Sequence, residues 1–472
     1  MSRALALLAA LLALSPGPAR AIQPLAEFLD AARTHNYDNR EAALTVRLRE
    51  QQVAQTRWDF TPTINATAAY TRNQYEVKVT LPGADPSNPI TRTITPFNQL
   101  DAQLTLTQPI LDIGLVRNIE IARANLASGQ ARVASTRLQV ELDIAEAYFQ
   151  VVAAEAFTRA AREVVQAATA SLAVVEQRAS AGVASDLDRR RAQVEVERGN
   201  KSIADADFNL EIARQRLVSL SGLASAAGEL ELAVSLSPEP PLASFVDGRI
   251  DQVASVRAAA SEARSADITV RSATSAFYPT LSASAGERFT NATGFLGKYA
   301  VASASLNLGW RFDLAVIPQL RASRVQAALA GVRVDRARQL AHDQIHRAWH
   351  QVKASLARAR SARAERDTSR AAFKQAHQRY EAGTGIFLEV TQAERDAFSA
   401  QISLIQANAD LAHARIALRL AAGRELGEAE ALLHSGDPGE PADNPMPIVA
   451  PPRPPPPPES TPAIAVPAGA GR

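Results

Sequence analysis

Three histidines, His342, His346 and His350, recur at i, i+4 and i+8, which places them on one helix face. Two such imidazoles make part of a Zn²⁺ site, but the 472-residue chain has no Cys to complete one. Two of them align with Ala145 and Phe149 in an earlier copy of the same pattern, so packing positions on a coiled coil are expected instead. Gly383-Thr384-Gly385 is a lone G-x-G with no strand before it, hence no phosphate loop. The sequence contains no G-x-S-x-G, Walker, H-E-x-x-H or EF-hand pattern. Paired carboxylates are unavoidable among 49 acidic residues and point nowhere alone. No catalytic residue, metal or cofactor is expected, and the chain reads as a non-enzyme.

The chemistry that remains is electrostatic and sits beside two glycines. Gly182 and Gly383 are placed to end helices in the left-handed conformation. Arg178 and Arg379 precede them in the last helical turns, where positive charge suits the helix dipole. Ser185 followed by Asp188 reads as an N-cap box for a returning helix. By spacing alone, Asp188 and Glu389 read as complements to helix starts. The Arg189-Arg190-Arg191 run is expected on a solvated helix face near this turn.

Composition narrows what can position these groups. Only 5% of residues are aromatic, which fits long Ala-rich helices better than several aromatic-anchored cores. The balance of 51 basic and 49 acidic residues argues against a nucleic-acid binder. Zero Cys removes disulfides, thiol catalysis and an N-terminal lipid-modified Cys. Residues 1–21 read as a secretory signal, with Arg3, an apolar Ala4–Leu14 core and the Ala19-Arg20-Ala21 site. No later run approaches 18 apolar residues, so the exported chain is either soluble or crosses a membrane as strands. Residues 428–472 read as a disordered tail, because 13 of the 27 prolines fall in 435–472.

Between these ends the chain is duplicated. Adding 201 carries Asp112 to Asp313, Arg178 to Arg379, Gly182 to Gly383 and Gly222 to Gly423. The copies span 22–226 and 246–427, with a linker at 227–245. Within each, no proline interrupts a long stretch: none lies between Pro109 and Pro238, or between Pro318 and Pro438. Leu138, Leu142, Ala145, Phe149 and Val152 step by 4 and 3, a coiled-coil seam, and Ala341, Ile345, Ala348, Val352 and Leu356 answer it. Long helices are expected over 112–222 and 316–423, the first running as a rod of roughly 100 Å to about Arg178. A further helix opens each repeat.

Before each rod the period changes to two. Ile64, Ala66, Ala68 and Tyr70 alternate with Thr63, Asn65, Thr67 and Thr71, and Leu100 to Leu106 alternate with polar residues likewise. The second copy sets Leu281, Ala283 and Ala285 against serines, then Ala300 to Trp310 against Ser303, Ser305 and Asn307. Strands are expected at about 62–75, 98–109, 280–288 and 299–311, each about the length of a tilted membrane strand. Residues 76–97 are expected as a long polar loop and 289–297 as a shorter one. Four strands cannot close a barrel with a lumen, so copies of the chain must share one, and three copies give twelve strands. The competing reading of the four segments is two half-exposed hairpins of a soluble sheet.

The chain resembles the TolC-like outer-membrane efflux proteins over nearly all of residues 22–427. The likeness rests on the signal segment, the duplicated hairpin-plus-helices order and the junction Gln108-Pro109-Ile110-Leu111-Asp112. It rests equally on two turn signatures, residues 178–188 (RASAGVASDLD) and 380–389 (YEAGTGIFLE). The resemblance implies an α+β membrane protein: a homotrimer with a twelve-stranded barrel in outer-membrane lipid and a helical tunnel through the periplasm. It implies a periplasmic adaptor and an inner-membrane pump of the RND, ABC or MFS class as partners, for efflux or type I secretion. The tunnel would be a passive duct, opened by rotation of the inner helix pair when the adaptor docks.

Carried over by position, Asp188 and Tyr380 match residues that help hold the family's tunnel closed, and Glu389 matches one of two acidic aperture positions. Gly385 stands where the archetype has an arginine, and Gln392 stands at the second acidic position. A weaker closing network and a single acidic ring at Glu389 are expected. The turn residues Arg178, Gly182, Val183, Ser185, Arg379, Gly383 and Thr384 are the expected adaptor contacts. The rival from another class is a secreted soluble coiled-coil scaffold with no pore, which a salt wash would strip from membranes.

Overall fold

The structure, a computed structural model, describes residues 23–81, 90–225, 234–246, 248–311 and 313–424. The expected signal segment, the proline-rich tail and the first part of the linker lie outside the described residues. Each repeat supplies a hairpin and a pair of long helices.

Where one helix was expected at the start, there are two, α1 (Leu25–His35) and α2 (Tyr37–Trp58). Asn36 breaks them apart. Its backbone is extended, and its side chain accepts hydrogen bonds from the backbone N–H groups of Asp38 and Asn39. The same amide donates to the Leu220 carbonyl at 3.0 Å, fixing the break against the end of a later helix.

Helix α3 (Ile113–Ser180) runs for 68 residues and turns into α4 (Asp186–Ser221). After the single turn α5 (Ala243–Val246) and helix α6 (Ala254–Ala273), the second repeat gives α7 (Val316–Glu381), 66 residues, and α8 (Phe387–Ala421). Asp112 starts α3 by accepting from the Leu115 N–H at 3.1 Å, and Asp313 accepts from the Ala315 N–H at 2.9 Å. Helix α3 packs on α4, and α7 on α8. Helix α6 lies against both α3 and α7, and α8 also reaches α3. The seam falls where the 3.5-residue spacing predicts: Ala145, Phe149, Val152, Ala341, Ile345, Val352 and Leu356 are buried. His350 does not follow Phe149 into the core; it is exposed and its ring lies edge-on to Trp349.

The linker is a docked strap. Glu239, half-buried, lies between Arg415, at 2.8 Å, and Arg419, at 3.5 Å. Arg415 also donates to the carbonyls of Ser235 and Ser237, Arg360 to that of Leu236 and Trp349 to that of Pro240. Residues 234–242 thus satisfy their backbone with side chains of α7 and α8, because the strap has no neighbouring strand to pair with.

Strands β1 (Thr63–Arg72), β4 (Asn98–Leu111), β5 (Thr280–Thr290) and β6 (Ala300–Gly309) form an antiparallel sheet in the order β1-β4-β5-β6. Paired rows such as Ala66–Leu104 and Ala285–Ala304 put the apolar residues on one face, as the alternation predicts. The expected polar loop at 76–97 instead holds a separate hairpin of β2 (Val77–Leu81) and β3 (Ile90–Thr95). Its Lys-Val-Thr and Thr-Arg-Thr alternation supports pairing, and the prolines and glycine that hid it lie at 82–89, outside the described residues.

The offset of 201 also slips in the sheet. It sends Ala102 and Leu104 to Ser303 and Ser305, on the opposite face; an offset of 202 sends them to Ala304 and Leu306, on the same face. The extra residue is a bulge in β4 between Pro109 and Leu111.

Candidate functional site at the helix turns

The two inter-helix turns lie side by side, each ending a helix hairpin of nearly the same length. In the first, Gly182 takes φ 73°, and Val183 N–H closes on the Arg178 carbonyl at 2.9 Å. In the second, Gly383 takes φ 74°, and Thr384 N–H closes on the Arg379 carbonyl at 2.9 Å. These are matching six-to-one terminations that only a residue tolerant of positive φ can make.

Beyond the glycines the turns diverge. The Ser185 hydroxyl accepts from the Asp188 N–H at 3.2 Å, while the Asp188 carboxylate accepts from Ser185 N–H at 3.3 Å and its hydroxyl at 2.7 Å. Both legs of the box are present, so Asp188 is committed to starting α4. The second turn has no such cap: Ile386 precedes α8 without a side-chain bond, and the Thr384 hydroxyl turns back to the Arg379 carbonyl at 3.1 Å.

Tyr380 is the anchor between the turns. It is 8% exposed and packs with Val175, Ala192, Phe387 and Val390. The Arg178 guanidinium crosses from the other turn, donating to the Tyr380 carbonyl at 2.7 Å and lying 4.6 Å from the ring centroid. Burial pushes the Tyr380 phenol above its ordinary range; Arg178 opposes this and the nearby Asp188 carboxylate adds to it. Gly385 is closely packed, since a Cβ there would stand 3.2 Å from the Arg379 Cβ and from the Tyr380 nitrogen.

Glu389 lies in the first turn of α8, 3.6 Å from Arg379, an ionic contact too long for a hydrogen bond. Gln392 is exposed one helical turn further on. Val183, Leu187 and Ile386 are exposed on the turns, beside Arg189 and Arg190, which both hold Asp186.

Just above the turns sits a cluster that motif reading passed over. Arg395 of α8 grips Glu195 of α4, its Nε 3.1 Å from the carboxylate, and Arg198 holds the same group at 3.0 Å. Beside it Glu394 is 6% exposed, with one carboxylate oxygen lacking any hydrogen bond. Burial first, then Glu195, push its carboxyl up to about 7, against the pull of Arg395. The available signal was its place in the buried series Val390, Glu394, Ala397, a charge on an apolar seam. Among the described residues no group of His, Asp and Glu could hold a metal, and no helix is long and apolar enough to cross a membrane.

A sheet with one uncovered apolar face, carried on paired helices whose far turns are clasped together, has the build of a membrane channel subunit with a long helical extension. The profile of the outer membrane efflux protein family matches residues 28–223 and 250–424. The solvent efflux pump outer membrane protein SrpC of Pseudomonas putida is 26% identical over 426 residues, covering 84% of this chain and 85% of its own. Outer membrane protein OprJ of Pseudomonas aeruginosa is 26% identical over 434 residues, covering 87% and 86%. The crystal structure of CusC superposes with a TM-score of 0.70 at 19% identity over 85% of this chain and 92% of its own. That of VceC from Vibrio cholerae gives 0.66 at 16% identity over 85% and 96%.

The chain belongs to the outer membrane efflux protein family. It is an outer-membrane efflux channel protein with a large periplasmic portion, and it is not an enzyme. The soluble-scaffold reading is set aside.

Proposed function

We propose that three copies of this chain form one passive duct, each giving four strands to a twelve-stranded barrel and its helices to a tunnel across the periplasm. The observation that carries this is the sheet itself: among the described residues β1 and β6 have free edges, and nothing covers the apolar face between them. Open edges and bare apolar surface are unstable alone, and closure with copies of the same chain removes both. Two aromatic groups support the placement in lipid. Tyr70, Phe97, Phe289 and Tyr299 mark the hairpin end, and Trp58, Tyr278 and Trp310 the helix end; all are exposed. The hydrophilic face, with Arg288 bonded to Asp101 at 2.8 Å and Ser284 to Ser305 at 2.8 Å, lines the water-filled side.

In this assembly the turns lie at the inner end of the tunnel. Arg178, Tyr380, Asp188, Glu389 and Gln392 form the closing and aperture layer. The outer surface of the turns, with Gly182, Val183, Ser185, Arg379, Gly383 and Thr384, receives a periplasmic adaptor. The energy comes from an inner-membrane pump of the RND, ABC or MFS class. Adaptor docking then selects the open arrangement by binding it better than the closed one. The test is reconstitution: the purified protein should migrate as a trimer and make planar bilayers leaky once the turns are loosened. A monomer in detergent that never conducts would overturn the proposal.

A further inference from the structure

The apolar face of the sheet carries two charges among its described residues. Arg72 ends β1 and Glu287 lies within β5, two residues from Phe289. Every other position on that face is apolar or uncharged. Within one copy these charges are far apart. Arg72 stands opposite Asn98 on β4 and Glu287 opposite Leu104, so they differ by six residues along the sheet and two strands across it. That is about 22 Å between Cα atoms. Charges left alone against hydrocarbon are costly, so each needs a partner from elsewhere.

The internal symmetry of the sheet says where the partner is. Adding 217 to β1 numbers and 202 to β4 numbers turns the first hairpin into the second. The pair Ile64–Leu106 becomes Leu281–Leu308, Ala68–Ala102 becomes Ala285–Ala304, and Tyr70–Leu100 becomes Glu287–Ala302, all observed pairs. The junction β4–β5 is where one hairpin meets the next, and there Leu104 faces Glu287 and Ala102 faces Phe289. When the same step is applied at the free edge of β6, Leu306 faces Tyr70 of a second copy, and Ala304 faces Arg72 of that copy. Glu287 itself faces Ala302 on β6. The second copy's Arg72 is then two strands across and two residues along from Glu287, about 12 Å between Cα atoms. The side chains between them are the small Ala302 and Ala304, which leave the path open.

We infer that Glu287 of one copy and Arg72 of the next form an ion pair across the alanines of β6, and that this pair fixes the subunit register Leu306 opposite Tyr70. The inference rests on the proposed trimer. Arg72 is prepared for this role, since one guanidinium nitrogen is held by Asn98 at 2.7 Å, which leaves other donors free. A one-residue slip would turn the faces over, and the two-residue slip that sets Tyr70 opposite Leu308 would carry Arg72 to Leu306, four residues along from Glu287.

The full-length protein in outer membranes tests this through the temperature at which trimers dissociate in detergent gels. E287R and R72E should each lower that temperature by several degrees, and the double charge swap E287R/R72E should restore most of the loss. The chain has no Cys, so L306C/Y70C should give covalent trimers on mild oxidation, whereas L308C/Y70C should not. If the wild type is no trimer by chemical cross-linking, the assembly fails and this pair with it. If trimers form but the swap rescues nothing, or the shifted cysteine pair links instead, the trimer stands and this register is wrong.

Discussion

The Arg178 guanidinium lies over the Tyr380 ring, 4.6 Å from its centroid, and donates to the same residue's backbone carbonyl at 2.7 Å. The two residues are 202 apart in the chain, so this contact ties the turn of one repeat to the turn of the other. It stands in a tip where Gly385 takes the place of an arginine that the family resemblance leads one to expect. A guanidinium is thus present at the clasp, contributed by the first turn. The Asp188 carboxylate, which the resemblance assigns to closure, also holds the Ser185 cap.

Removing the clasp should loosen the closed tip. A charged hydrogen bond and a stacked cation together supply about 2 kcal/mol, or roughly 30-fold in the ratio of closed to open states. R178A should therefore raise spontaneous opening in planar bilayers by about that factor. R178K keeps the charge and loses the flat stack, so it should fall between. Unchanged closed-state conductance in R178A would show that the contact is only local packing.

Glu394 should make the stability of the tip depend on pH. Its carboxyl is raised to about 7 from an ordinary 4.5, so the folded state holds a proton that the unfolded chain releases. A raised carboxyl pKa favours the fold least when the group is ionised. Stability is undiminished near pH 4.5, declines as pH rises through the window to about 7, and stays reduced above it. The difference amounts to about 3 kcal/mol in order of magnitude. E394Q should melt several degrees above wild type at pH 8 and close to it at pH 5. Parallel melting curves for both proteins across that range would dispose of the idea.

Much of the scaffold could be read from residue spacing, and the reasons are local. Gly182 and Gly383 announce helix ends because few residues adopt positive φ, and Asp112 announces a start because its side chain caps its own helix. Alternation of Ile64 to Tyr70 gives a strand for equally local reasons. What escaped depends on long-range partners. Residues 234–242 have no period of their own and are ordered by Arg415, Arg360 and Trp349 from distant helices. The β2–β3 hairpin was masked by the prolines between its strands. Glu394 was hidden because an acid on a seam reads as a solvated charge until its neighbours are placed. The slip from 201 to 202 was invisible, since the matches that fix 201 all begin at Asp112, beyond the bulge at Ile110.

The strap offers a direct test of a buried charge. Arg415 and Arg419 are almost fully enclosed, their side chains 4% and 6% exposed, and Glu239 is the carboxylate between them. Taking it away leaves two guanidinium groups without their counter-ion, a loss of about 3–5 kcal/mol. E239A should lower the denaturation midpoint and expose residues 234–246 to limited proteolysis. E239Q, which retains hydrogen-bond acceptance, should do less. If E239A proved as stable and as resistant as wild type, water or another group must satisfy the arginines.

Ion preference at the proposed aperture follows from the Arg379–Glu389 contact. Threefold symmetry would bring three Glu389 carboxylates near one axis, where a ring of negative charge favours cations. Arg379 stands 3.6 Å from each and offsets part of that field without a hydrogen bond to fix it. Removal of each partner should therefore shift selectivity in opposite directions: E389Q toward anions, R379Q toward cations. Each change should alter the permeability ratio by roughly two- to three-fold, the scale of one partly screened ring. Gln392 lies one turn along the same helix and is exposed, so Q392E should add a second ring and strengthen cation preference beyond wild type. Reversal potentials across a salt gradient measure all three. A reversal potential in E389Q equal to that of wild type would place the narrowest charged ring elsewhere on the tunnel, and the opposite responses of R379Q and E389Q distinguish a field effect from simple distortion of the turn.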